Sequence, residues 1–210
     1  MIKRILPVMV LLSAFSHADG LKSINNFLQN KSSTISADFV QTVFGVRKNT
    51  VSNGKMEISR PNKFRWQYAS QNGVSGQLIM SDGKLIYVYD KDLSQVTEKK
   101  LTNSIDRSPA LLLAGGSNLH DVYNVVALPS SDNLDWVSLT PKKVDDNNGF
   151  KKVQIAFDKQ NGVLSQMRFV DSFDNKSTIV FSNVKTAVKF PSTEFRFVAP
   201  HGTDVIKSDN

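Results

Sequence analysis

The stretch from Arg60 to Asp90 limits the possible folds of this chain more than any other. Phe64, Trp66 and Tyr68 alternate with Lys63, Arg65 and Gln67. A period of two puts the aromatics on one face of a strand and the polar residues on the other. Gln77 to Met80 is a second apolar run. Ser81-Asp82-Gly83-Lys84 then turns the chain into Leu85 to Tyr89, as Asp-Gly between apolar runs does in a hairpin. A sheet face this aromatic has to be covered by protein or by a ligand, because apolar surface left in water costs about 25 cal/mol per Å².

Residues 1–18 read as a secretory signal peptide rather than as structure. Lys3 and Arg4 give a positive start, and Ile5 to Phe15 is an apolar run shorter than the roughly 20 residues of a membrane span. Ser16-His17-Ala18 is a small-x-small cleavage site, which makes Asp19 the expected first mature residue. Residues 19–210 then form a single domain. The chain has no cysteine, so an exported form must rely on its core instead of on disulfides, and it has no cysteine to acylate. The expected compartment is the periplasm of a Gram-negative cell.

Loss of the two leader cations lowers the formal net charge from +7 to +5. The basic residues are scattered in pairs such as Arg47-Lys48, Lys142-Lys143 and Lys151-Lys152. They form no aromatic-interleaved stripe, so nucleic acid is not an expected partner. A surface of this kind suits solvation, or a modest attraction to an anionic membrane or an acidic partner.

Leu21, Ile24, Phe27 and Leu28 share a helix face behind a possible Asp19 cap. A second, short helix is predicted over 108–116, with a serine cap, Pro109 at its first position and a glycine pair at its end. Leu111, Leu112 and Leu113 are adjacent, so this helix is apolar on more than one side and needs to be sandwiched. The strands are predicted at 34–44, 51–59, 63–68, 77–80, 85–89, 122–128, 134–140, 152–157, 163–170, 177–181 and 194–198. About eleven strands interrupted by short helices describe a mainly β chain, a curved antiparallel sheet or unclosed barrel covered by helices. The large inward candidates are Phe39, Met56, Ile58, Phe64, Trp66, Tyr68, Tyr87, Met167, Phe169 and Phe181, with Leu78 and Met80 on the strand before the Asp-Gly turn and Leu111 and Leu112 on the covering helix. Such a barrel encloses either an apolar cavity or a packed core. Periodicity alone does not separate the two.

Catalytic patterns are missing. His120 and His201 are isolated, and there is no Ser/His/Asp arrangement, zinc spacing or glycine-rich phosphate loop. An enzyme is not expected, nor is a metal or cofactor. Arg60 stands out because it sits between strands, next to Pro61 and the aromatic run. It reads either as a solvated loop residue or as a latch whose rigid fork donates to carbonyls of a covering helix.

Several segments together resemble the periplasmic lipoprotein carrier family LolA. They are Phe39-Val40-Gln41-Thr42, Arg60-Pro61-Asn62-Lys63-Phe64-Arg65-Trp66, Ser81-Asp82-Gly83-Lys84, Tyr89-Asp90-Lys91-Asp92-Leu93-Ser94-Gln95-Val96, Ser108-Pro109-Ala110-Leu111-Leu112-Leu113 and the ending Phe195 to Val205. They run in family order over most of the chain. The resemblance implies an unclosed antiparallel barrel with a helical lid, Arg60 as the lid latch, and Phe64 and Trp66 lining an acyl-binding cavity. It implies a monomeric chaperone that takes acylated lipoproteins from an inner-membrane ABC exporter of the LolCDE type. Delivery is then to an outer-membrane acceptor, LolB or an equivalent. Tyr87 stands where the family often has tryptophan, and Ala199 replaces one of a common proline pair. Carriage of a glycolipid or another lipid on the same fold, and a protein-binding scaffold, are the other readings.

Overall fold

Strand alternation becomes a single sheet in the computed structural model, which describes residues 18–29, 34–70, 76–101, 109–115, 119–143 and 149–208. Residues 1–17 of the predicted leader (1–18) and the cap Ser108 lie outside the described residues, and the leader's last residue, Ala18, opens the first helix. Helix α1 (Ala18–Gln29) comes first, then β1 (Thr34–Phe44), β2 (Thr50–Ser59), β3 (Lys63–Tyr68), β4 (Leu78–Asp82), β5 (Leu85–Asp90) and β6 (Gln95–Lys100). Two short helices follow, α2 (Pro109–Ala114) and α3 (Leu119–Val122). The chain ends with β7 (Tyr123–Ala127), β8 (Leu134–Pro141), β9 (Phe150–Asp158), β10 (Leu164–Asp171), β11 (Lys176–Thr186) and β12 (Asp204–Ser208).

The strand order is β12-β6-β5-β4-β3-β2-β1-β11-β10-β9-β8-β7. β7 and β12 remain as edges, so the sheet curves without closing. Consecutive strands pair antiparallel through short turns, while β1 and β11 join the two halves of the chain along nine aligned residue pairs with one irregularity near Ser36. The exception is β12, which pairs parallel with β6.

Four elements differ from the sequence expectation. Residues 194–198 form a turn and an extended segment instead of a strand. Of their alternating aromatics, Phe197 packs on Tyr87 and Tyr89 while Phe195 meets Phe190 of its own segment edge-on, and that alternation imitates a strand pattern. β6 and β12 carried too little apolar signal, because only Val96 of β6 is fully buried and β12 is mostly exposed. Helix α3 was not expected. Its single buried residue is Leu119.

The C-terminal segment straps the outer face of β2 to β5. Phe197 stacks on Tyr87 with ring centroids 4.9 Å apart and packs against Tyr89 at 5.8 Å. Arg65 Nε lies 3.8 Å from Glu194 and 4.0 Å from Glu57, so a single guanidinium serves two carboxylates. Burial, helped by the neighbouring Glu194 charge, pushes Glu57 from its ordinary 4.5 to about 7. A carboxyl raised in the folded state stabilises the fold below its unfolded value, and that stability is lost as pH rises through about 7. Glu57→Gln stays neutral throughout. It should therefore remove the loss between pH 5 and pH 8, which amounts to about 1 kcal/mol after solvent screening. Thermal melts at the two pH values check this. A wild-type protein no less stable at pH 8 than at pH 5 would contradict it.

Candidate functional site

Strand parity decides which side chains face inward, since residues directly opposite on paired strands share a face. Ile35 pairs with Ile58, Ala37 with Met56 and Phe39 with Phe181. Met56 opposes Trp66, Ile58 opposes Phe64, and Met167 opposes Ile179. These residues form one buried cluster that also contains Leu111 and Leu112 of α2, with Tyr68 and Phe169 packed at its edge. Phe39 is the hub of the aromatic part. Its ring is 4.7 Å from Trp66 and 5.2 Å edge-on from Tyr68, and Trp66 meets Phe181 edge-on at 6.1 Å. Gly54 makes room for this hub, because a Cβ there would stand 2.7 Å from Phe39 Cζ and would overlap the Gln67 carbonyl oxygen.

Two helices cover the cluster, and they are held differently. Helix α1 lies over β7, β8 and β9, where Phe27 packs on Phe157 at 5.3 Å. It is also tied to the sheet through Ser23, whose hydroxyl donates to Asp135 at 3.3 Å, while Ser130 donates to the other oxygen of the same buried carboxylate at 2.7 Å. Helix α2 lies over β2 and β3 with Ala110 to Ala114 all buried, as a helix apolar on several sides requires.

Arg60 sits at the seam of the two helices. Its Nε and Nη2 donate to the Leu113 carbonyl at 3.3 and 3.1 Å, and its guanidinium lies 4.5 Å from the centre of the Phe27 ring. Next to it the Asn62 backbone N–H donates to the Ala114 carbonyl at 3.3 Å. The last carbonyls of α2 would otherwise be orphaned, as at any helix end. Gly115 ends the helix with φ at +71°, a conformation natural to glycine, and leaves Arg60 Cδ room that a Cβ would crowd at 3.3 Å. Burial lowers the Arg60 guanidinium to about 10, so it is still a cation at neutral pH. Its buried Nη1 has no partner among the described residues. An unsatisfied buried donor costs about 1–3 kcal/mol, which makes this joint weaker than its two bonds suggest.

A cleft of about 310 Å³ opens where α2 starts, walled by Trp66, Tyr68, Ile79, Pro109, Phe150 and Phe169, with Gln41 at its edge. The Tyr68 hydroxyl donates to Gln41 Oε1 at 2.7 Å, and burial pushes this phenol up to about 12, so it stays a neutral donor. Phe169 meets Phe150 edge-on at 4.9 Å. Sites for drug-sized ligands run from roughly 300 to 1,000 Å³. The cleft is at the small end of that range, and a second opening of about 570 Å³ lies beside α1, walled by Phe27, Ile35, Leu164 and Val184.

Three expected lining residues are elsewhere. Leu78, Met80 and Tyr87 form a separate cluster with Tyr89 and Val96 on the outer face, covered by Phe197. The reason is register: Met80 opposes Arg65 and Leu78 opposes Gln67, both outward residues, and Tyr87 opposes Met80. The inward residues of these strands are Ile79, Ile86 and Val88. Sequence reading missed Ile79, Phe150 and the Phe27 partner of Arg60. Ile79 lies between two equally apolar neighbours, so only the pairing to Trp66 marks it as inward.

If Arg60 holds α2 in place, Arg60→Leu should speed amide hydrogen exchange at Leu113 and Ala114 by roughly 10- to 100-fold. That is the equivalent of losing charge-assisted bonds of about 1.5–3 kcal/mol. Amides of β9 serve as the internal control. Unchanged exchange at α2 would rule the restraint out.

The sequence model of the family described as outer membrane lipoprotein carrier protein LolA matches residues 30–198. An outer-membrane lipoprotein carrier protein of Chromobacterium violaceum is 38% identical over 198 residues, covering 94% of this chain and 92% of that protein. A protein of the same description from Neisseria meningitidis is 34% identical and covers 97% and 93%. Among solved structures, an uncharacterised conserved protein of Thermus thermophilus has a TM-score of 0.56 at 9% identity over 90% of this chain and 98% of that one. That likeness concerns the fold.

Proposed function

The chain belongs to the LolA family of outer-membrane lipoprotein carrier proteins, and from that premise we propose that it is a periplasmic chaperone carrying the acyl chains of lipoproteins against its inner face. The observation that carries the reading is a cover helix, α2, laid on an aromatic face and held at its end by Arg60. An acyl chain in water costs about 0.8 kcal/mol per CH₂, so a lipoprotein with several chains does not cross an aqueous space unaided. The 310 Å³ cleft is too small for several chains, so loading requires α2 to move and uncover the cluster of Phe39, Phe64 and Trp66. Helix α1 stays behind, tied through Ser23 and Asp135.

Transfer between a bilayer and an apolar cavity is close to balanced, because both are hydrocarbon. Non-covalent affinity also saturates near roughly −18 to −21 kcal/mol, and a carrier has to release. Loading therefore draws its energy from a partner, an ATP-driven inner-membrane exporter of the LolCDE type. Unloading proceeds to an acceptor that holds the chains better, LolB or an equivalent. A packed empty state with one weak joint suits this cycle, since the aromatic face stays away from water until cargo replaces α2.

The direct test incubates the purified mature protein with spheroplasts making labelled outer-membrane lipoproteins and assays the soluble fraction. A soluble one-to-one complex is expected. Lipoprotein that stays membrane-bound, while a known carrier releases it from the same spheroplasts, would overturn the proposal. Phe169→Ser at the cleft wall should lower release several-fold while shifting the melting temperature by only a few degrees, because Phe169 is half-buried. Full release by this variant would remove the cleft from the acyl path.

A further inference from the structure

We propose that the open end of the barrel is a docking surface for an anionic phospholipid bilayer, formed by the tips of three hairpins. The strand directions bring the β1–β2, β5–β6 and β10–β11 turns to the same end of the sheet as the Trp66–Phe169 cleft. Each tip presents an apolar side chain to water. Val46 is fully exposed, Phe173 is 83% exposed and Leu93 is 67% exposed, and they are three of the four most exposed large apolar residues among the described ones. Phe44 stands beside Val46 and is 45% exposed. The β1–β2 and β10–β11 tips are neighbours, since Phe44 opposes Lys176. Isolated exposed apolar residues need no explanation, but several at the rim of an apolar opening mark a contact surface.

The turns are built to hold these residues out. Asp90 Oδ1 accepts the backbone N–H groups of Asp92 and Leu93 at 2.9 and 3.1 Å. Asp171 Oδ1 accepts those of Phe173 and Asn175 at 2.9 and 2.8 Å. Two of the acidic groups at this end are thus occupied inside their own turns, and Asp174 is paired with Lys151 at 2.7 Å. Arg47 and Lys48 stand exposed beside Val46, and the turn between β1 and β2 holds no acidic residue. Apolar tips next to cations are the pattern of a surface that rests on anionic headgroups, with the side chains entering the interface and the cations meeting phosphate. Around the three tips Arg47, Lys48, Lys91, Lys151 and Lys176 face Asp90, Asp92, Asp171 and Asp174, so the attraction for anionic headgroups is local to the Arg47-Lys48 tip, beside the most exposed apolar residue, Val46.

For its purpose this inference rests on the carrier reading, because acyl chains enter and leave a carrier at a membrane. For its geometry it does not. The test is co-flotation of the mature protein with protein-free vesicles of phosphatidylglycerol and phosphatidylcholine, compared with phosphatidylcholine alone. Binding to the anionic vesicles is expected, weakening as salt is added. The triple variant Val46→Ser, Leu93→Ser, Phe173→Ser should bind at least tenfold more weakly with an unchanged circular dichroism spectrum. Arg47→Ser with Lys48→Ser should erase the preference for anionic lipid. Failure of the wild-type protein to bind, equal binding by the triple variant, or binding only to membranes that contain the exporter would overturn the proposal. The carrier reading has a separate readout in spheroplast release: a wild-type protein that releases lipoprotein without binding vesicles loses the docking surface alone, whereas one that binds vesicles and releases nothing loses the carrier role alone.

Discussion

One side of the sheet is apolar from β5 to β7 in sheet order, and a sheet that does not close cannot hide that side by itself. The other features of the molecule respond to this requirement. Phe39, Met56, Ile58, Phe64 and Met167 are almost wholly excluded from water only because α1 and α2 complete the enclosure. A closed barrel with the same strands would bury this face permanently. An open one leaves the cover as a separate element, attached by its own interactions.

The two covers differ in how they are attached. Helix α1 packs Ile24 and Phe27 against β8 and β9 and is pinned through a buried carboxylate. Helix α2 is only six residues long, too short to be stable alone, and its end is capped from outside by Arg60 and the Asn62 N–H. Arg60 also stacks on Phe27, so the same side chain that caps the loose helix leans on the fixed one. Its donors are incompletely used, which is an uncommon arrangement for a purely structural residue. Family membership gives this asymmetry a meaning, because a carrier needs a stable empty state and an exit from it.

The outer face is handled in another way. Tyr87, Tyr89, Leu78 and Met80 would expose a second apolar surface if the C-terminal segment did not lay Phe197 over them and continue into β12 along β6. The pairing of β12 also protects β6, which would otherwise be a free edge. The inner and outer clusters thus have different covers, one short and lightly held, the other continuous with the chain and bound along a strand.

The sequence by itself determined the class of fold, the inward parity of Phe64, Trp66 and Tyr68, the all-round burial of the leucine helix and the special position of Arg60. These features are local: a period of two, adjacent leucines and an arginine beside a proline are visible within a few residues. Tertiary structure decided what depends on pairing between distant segments. Leu78, Met80 and Tyr87 face outward because β4 meets β3 in the register that sets Met80 against Arg65, and a one-residue shift would have reversed them. Ile79 and Phe150 line the cleft for the same reason. Arg60 finds both Leu113 and Phe27 only when strands, α1 and α2 come together, from positions 53 residues apart in one case. The aromatic pattern of 194–198 matches a strand because a docking segment and a strand both alternate. Only the sheet, by already occupying its hydrogen bonds elsewhere, separates them.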